Sequence, residues 1–123
     1  MAVKDDWMKR ISSTAFGIDQ GSRLMFADFA DGGVMWTGKG SRESRHVIGF
    51  SEPFTGIPVV MASISLMDID RDANVRAEIV AEHITETGFH LVFRTWGDSR
   101  VARIRAEWTA FGGLHDEDAW EVE

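Results

Sequence analysis

The sequence predicts an all-β protein, a six-stranded antiparallel β-sandwich. Three observations carry that expectation. Apolar and polar residues alternate through three successive segments between positions 75 and 110, the spacing that sends side chains to opposite faces of a strand. Each segment is closed by a short turn bearing Gly or Asp, which implies antiparallel neighbours. Helical periodicity is confined to a turn or two at Asp5 to Ile11.

Taken in order, residues 1–17 show weak patterning that Ser12-Ser13-Thr14 interrupts, and read as a partly ordered arm. Residues 18–112 read as the sandwich and 113–123 as an acidic tail. Leu24 to Phe29 and Val34 to Trp36 are short apolar runs separated by Asp31-Gly32-Gly33, the pattern of short strands and a turn. Val47 to Phe50 is a short strand, and Pro53 and Pro58 bracket a loop. Val59 to Met67 is almost continuously apolar and reads as a buried strand. In the strand from Val75 to His83, Val75, Ala77, Ile79 and Ala81 face inward. Thr85-Glu86-Thr87-Gly88 turns into the next strand, where Phe89, Leu91, Phe93 and Thr95 face inward. Gly97-Asp98-Ser99 turns into the last, with Ala102, Ile104, Ala106, Trp108 and Ala110 inward.

At 123 residues, with 44% hydrophobic and 27% charged residues, the chain has the size and composition of one globular domain. Lys and Arg number 13 against 20 Asp and Glu, a formal net charge of −7. That balance argues against nucleic-acid binding, which needs a basic footprint. The chain has no cysteine, which excludes disulfide staples, thiol nucleophiles and thiolate metal sites. No apolar run approaches the ~20 residues of a membrane span. The opening residues are charged and lack the apolar core of a leader. The expected location is therefore cytoplasmic, or outside the cell after export without a leader.

No catalytic, metal or cofactor constellation emerges. Asp68, Asp70 and Asp72 alternate as in a calcium loop, but Ala73 stands where that loop needs Gly, Ile79 where it needs Glu, and Arg71 adds a cation. An acidic loop bonding its own backbone is the simpler reading. His46, His83, His90 and His115 share no metal-ligand spacing. His83 falls on the apolar phase and reads as a core or strand-end residue. Gly38-Lys39-Gly40-Ser41 lacks the spacing of a phosphate loop. With no nucleophile, base and orienting group to name, the chain is expected not to be an enzyme and to need no cofactor or metal.

The outward positions of the last three strands carry Arg76, Glu78, Glu82, His90, Arg94, Trp96, Arg103, Arg105 and Glu107, with Val80 and Val92 among them. Charges of both signs sharing one sheet face would form solvated cross-strand pairs or a polar interface between copies of the chain. Trp96, on the outward phase beside a Gly-Asp turn, is either structural or a platform for the apolar face of a sugar ring, with Arg and Asp bonding the hydroxyls.

Phe50-Ser51-Glu52-Pro53-Phe54, Ile57-Pro58-Val59-Val60, Ser63-Ile64-Ser65, Asp68 and Asn74-Val75-Arg76 form a series of separated anchors. Thr87-Gly88-Phe89, Thr95-Trp96 and Trp108 continue it. In this order, over about residues 42–111, they resemble the H-type lectin domain family, and Gly33-Val34-Met35-Trp36 is similar to that family's first strand. The resemblance implies a six-stranded sandwich and a homotrimer, or a hexamer. It also implies binding of N-acetylgalactosamine or other galacto-configured glycans in clefts between protomers. It assigns sugar contacts to Arg76 and Trp96, with Gly97 and Asp98 following in the turn and Lys39 and Gly40 supplying the facing loop. Gly97 stands where a family member has a sugar-contacting histidine, and Lys39 where the family has a hydroxyl-binding aspartate, a role that Asp98 or Glu43 would have to fill. A trimerisation domain that keeps the fold without the sugar is the alternative.

Overall fold

The structure, a computed structural model, describes residues 7–116. It is the expected sandwich of six antiparallel strands. These are β1 (Ala15–Ala27), β2 (Arg42–Gly49), β3 (Val59–Ile69), β4 (Ala77–Glu82), β5 (Gly88–Thr95) and β6 (Val101–Leu114), with one helical turn, α1 (Val34–Thr37), between β1 and β2. They form two three-stranded sheets, ordered β1-β6-β3 and β2-β5-β4. Among the described residues no helix is long and apolar enough to cross a membrane.

The alternation seen in the sequence becomes the core. On β6 Ala102, Ile104, Ala106, Trp108 and Ala110 are buried, and on β5 so are Phe89, Leu91 and Phe93. The two sheets interdigitate there, Phe26 of β1 meeting Phe93 of β5 with ring centroids 5.2 Å apart. At the end of the sandwich that holds the β2–β3 loop, Phe50 packs on Phe54, Phe89 and Trp108 at 5.0, 5.7 and 6.1 Å. Burying such rings removes much apolar area, and their tilted and edge-on contacts add to it.

Several expectations are corrected. Val34-Met35-Trp36 is not a strand, so it is not the first strand of the fold. The Asp28 carboxylate accepts the Met35 N–H at 3.0 Å, and Gly38 N–H closes the turn on the Val34 carbonyl at 2.7 Å. Three apolar residues are too few for a period to distinguish the two conformations. Leu24 to Ala27 are the end of one long strand rather than a strand of their own, and that strand begins at Ala15, inside the segment read as an arm. At the other end β6 reaches Leu114, inside the segment read as a tail. Residues 1–6 of the arm and 117–123 of the tail lie outside the described residues.

The Gly97-Asp98-Ser99 turn does not join paired strands. It carries the chain from β5 in one sheet to β6 in the other. The outward charges therefore do not share one face: Arg103, Arg105 and Glu107 lie on the β1-β6-β3 side, and Glu78, Glu82, His90 and Arg94 on the β2-β5-β4 side. Finally, Val92 is outward but fully buried, set in register between Arg45 and Val80. Long arginine stems can cover an apolar neighbour while their charged ends reach water.

Three connections cluster at one end of the sandwich: the β1–β2 segment with α1, the β3–β4 loop and the β5–β6 loop. That end carries the candidate site.

Candidate functional site

Trp96 immediately follows β5, Arg76 immediately precedes β4, and Ala77 pairs with Thr95. Arg76 and Trp96 are therefore the next positions along the ladder, at the edge of the outer face. Arg76 is held through its backbone. Its N–H donates to the buried Ser99 hydroxyl at 2.8 Å, and its carbonyl accepts from Thr95 Oγ1 at 2.6 Å. Ser99 in turn donates to the Trp96 carbonyl at 3.0 Å. The Arg76 guanidinium is left to reach outward, where it meets Asp98 Oδ1 at 3.1 Å.

Trp96 is 41% exposed, a large apolar ring presented to solvent. It lines an open cleft of about 480 Å³ with Ser41, Arg42, Glu43, Glu78, Arg94 and Thr95. In register, Glu43, Arg94 and Glu78 lie side by side across the three strands. The floor is thus the outer sheet face and the indole forms one end.

That face is electrostatically knit. Arg94 contacts Glu82 at 2.8 Å and Glu43 at 3.1 Å, and Arg45 contacts the same two carboxylates at 2.9 and 3.1 Å. Hydrogen bonds first from Arg94 and then from Arg45 hold the Glu82 pKa down at about 2. Glu43 is lowered too, chiefly by its hydrogen bond from Arg45. Arg45 also lies 2.9 Å from His90 Nδ1, and the His90 ring is 4.8 Å from His83. His83 immediately follows β4, with φ of 50°, and is exposed, a strand-end residue despite its apolar phase.

The facing loop is tied to the Trp96 turn by Arg42, to which the sequence pattern gives no such role. Arg42, buried at 9% exposure, aims its guanidinium inward. It donates from Nε to the Gly40 carbonyl at 3.0 Å, from Nη1 to Val34 and Met35 at 3.2 Å each, and from Nη2 to Gly97 at 3.3 Å. The Gly40 N–H adds a bond to the Gly97 carbonyl at 2.9 Å. One planar fork thus clasps α1, the Lys39-Gly40 loop and the β5–β6 turn. Both glycines stand in the left-handed region, at φ of 76° and 69°, where a side chain is strained. A Cβ on Gly97 would also sit 3.3 Å from Arg76 Nη1.

Of the residues assigned from the resemblance, Arg76, Trp96, Gly97, Asp98 and Gly40 come together at this end, and Lys39 is exposed next to Gly40. The cleft adds Ser41, Arg42, Glu43, Glu78 and Arg94. Glu78 and Arg94 were legible as outward-phase charges, but only the pairing of β5 between β2 and β4 puts them beside Trp96. In the β3–β4 region Asp70 is engaged, pairing with Arg100 at 3.3 Å and accepting the Asp72 N–H at 2.9 Å, whereas Asp68 lies 3.9 Å from Arg103 without a hydrogen bond between them.

A family profile described as the H-type lectin domain matches residues 45–111. The chain belongs to the H-type lectin domain family. It is 53% identical over 107 residues to the "ATP synthase subunits region ORF 7" protein of Fuscovulum blasticum, covering 87% of this chain and 93% of that protein. It is 32% identical over 75 residues to a discoidin-1 polypeptide of Dictyostelium discoideum, covering 60% of this chain and 30% of that one. Recombinant discoidin II of the same organism superposes with a TM-score of 0.70 at 24% identity, over 88% of this chain and 41% of the other. The wild-type discoidin II structure agrees, with a TM-score of 0.70 over 85% and 40%. The chain thus spans less than half the length of the discoidins it matches.

Proposed function

We propose that this lectin-family chain binds N-acetylgalactosamine or galactose-type glycans without catalysis, in clefts completed between the protomers of a homotrimer. The observation that carries the reading is the half-exposed Trp96 at the end of a cleft, beside the Arg76–Asp98 pair. An indole covers the apolar C–H face of a pyranose, and a guanidinium and carboxylates bond its hydroxyls. Arg76 donates to the axial hydroxyl that separates galacto from gluco sugars, and Asp98, Glu43 or Glu78 accepts in place of the aspartate that Lys39 replaces. A donor positioned for one hydroxyl is left unpaired by a ligand that misplaces it, which is the source of discrimination.

The trimer is supported by where the cleft lies. Its floor residues Glu43, Arg94 and Glu78 belong to the outer face of β2-β5-β4, which also presents the 70% exposed Val47. Packing that face against its copies would put the cleft at the junction. Each site alone is weak, about millimolar to high micromolar, and three sites on one particle supply avidity.

Light scattering at micromolar concentration tests assembly: a trimer is expected, and a monomer or dimer contradicts it. Arg76→Ala is expected to lose binding to multivalent N-acetylgalactosamine while the trimer persists. Retained binding would show that Arg76 is not a contact. The second reading, an assembly domain without a ligand, is favoured by one observation, the Lys39 in place of an acceptor. A trimer that ignores every galacto-configured glycan would establish it.

A further inference from the structure

We propose that the other flank of the same loop end carries a second subsite for a single pyranose ring, built on Phe29, Asp68 and Arg103. Its position rests on observations separate from the Trp96 cleft, while the choice of a sugar as ligand rests on the lectin reading.

Phe29 lies in the turn after β1 and is 64% exposed. An exposed phenyl ring at a loop tip is ordinarily loose, but this one is braced. Its ring packs edge-on against Trp36 at 5.0 Å and 73°. The Trp36 ring in turn lies under the Arg100 guanidinium, 4.3 Å from the ring centroid. Arg100 is fixed by a 3.1 Å bond from Nε to the Trp36 carbonyl and by its ion pair with Asp70. The aromatic surface is therefore ordered before a ligand arrives, which lowers the entropic cost of binding.

Beside it lies a hollow of about 240 Å³, lined by Ala27, Phe29, Ala30, Ala102, Asp68 and Arg103. Three alanines leave the floor open. The space falls below the ~300 Å³ at which drug-sized pockets begin, so it suits one ring rather than an extended ligand. Its polar groups sit together at one side. Asp68 and Arg103 are 58% and 47% exposed and 3.9 Å apart, too far for a hydrogen bond between them. A carboxylate acceptor and a guanidinium donor at that separation match two neighbouring hydroxyls of a ring whose C–H face lies on Phe29. An apolar floor, an aromatic wall and one paired donor and acceptor are what a pyranose, polar at its rim and apolar on its faces, requires.

The test is a titration of the full-length isotope-labelled chain with the methyl glycosides of galactose, N-acetylgalactosamine, glucose, mannose and fucose, followed by amide chemical shifts. At least one glycoside is expected to move the amides of residues 27–30, 68 and 102–103 as a set, saturating independently of the set around Trp96. Phe29→Ala is expected to weaken the first set about tenfold and leave the Trp96 set unchanged. Trp96→Ala is expected to do the reverse. Asp68→Asn, which keeps the shape of the site, is expected to weaken the first set alone, and it provides the same test if Phe29→Ala disturbs the loop. If the Trp96 set titrates and no glycoside moves the Phe29 set, the second subsite is refuted and the lectin reading stands. If only the Phe29 set titrates, the second subsite stands and the Trp96 reading fails. If neither responds, both are refuted.

Discussion

Removing the Arg42 guanidinium should loosen the whole candidate site. In Arg42→Met the aliphatic stem is kept and the fork is lost. Four carbonyls lose a donor, at Gly40, Val34, Met35 and Gly97. The Val34 oxygen still accepts from Gly38 N–H and the Gly97 oxygen from Gly40 N–H, so the uncompensated loss is mainly at Gly40 and Met35. Hydrogen bonds to a charged group contribute about 1.5–3 kcal/mol each. Relief from burying the unpaired charge offsets part of that sum. A net loss of about 2–3 kcal/mol is expected, which for a domain of this size lowers Tm by roughly 10 °C. Arg42→Lys should recover little, since an ammonium cannot span carbonyls on three segments with one rigid fork. Thermal unfolding followed by circular dichroism measures this, and amide exchange should show lost protection at Gly40 and in the 97–99 turn. A fall in Tm smaller than about 2 °C, or full rescue by lysine, would refute the clasp.

Acid should loosen the outer face of β2-β5-β4 through Glu82. Its pKa is about 2 in the folded chain against an ordinary 4.5, so its stabilising contribution is complete above 4.5 and is lost as pH falls towards 2. Urea midpoints across that interval should fall with pH, and Glu82→Gln should flatten the slope; an unchanged slope contradicts the network. Because these groups are solvent-accessible, molar salt should blunt the same effect. Gly97→Ala places a Cβ at φ of 69° and 3.3 Å from Arg76 Nη1. It should cost about 1–2 kcal/mol and weaken glycan binding by displacing Arg76, whereas wild-type stability measured by chemical unfolding would show that the turn tolerates a side chain.

The strands of the second half were legible because a period of two survives burial: every inward residue expected on β6, from Ala102 to Ala110, is buried. The aromatic Phe50 and Phe54 anchors likewise marked a real cluster. The first half was less legible for physical reasons. β1 runs from Ala15 on alternating but weakly apolar residues, such as Gly17, Asp19 and Gly21 opposite Ile18 and Gln20, so its pattern is faint. The helical turn at Val34 depends on Asp28 and Arg42, residues six to eight positions away, which no local window weighs. At the site, Arg76 and Trp96 were placed through the family resemblance and their outward phase. Arg42 escaped because the expected strand began only at Val47, whereas β2 starts at Arg42 itself, and an inward arginine has no periodic signature; only the convergence of four carbonyls gives it a role. Glu78 and Arg94 were seen as outward charges, but their place beside Trp96 was not, because a sheet order β2-β5-β4 is not encoded in any single strand.

The most direct measurement is a comparison of epimers. The unmutated protein is titrated with multivalent N-acetylgalactosamine and, separately, with multivalent N-acetylglucosamine, which differ only in the hydroxyl assigned to Arg76. A site built on Arg76 and Trp96 gives saturable binding of the galacto epimer, at least about tenfold weaker binding of the gluco epimer, and loss of both in Trp96→Ala. Equal binding of the two epimers, or binding that survives Trp96→Ala, would contradict it.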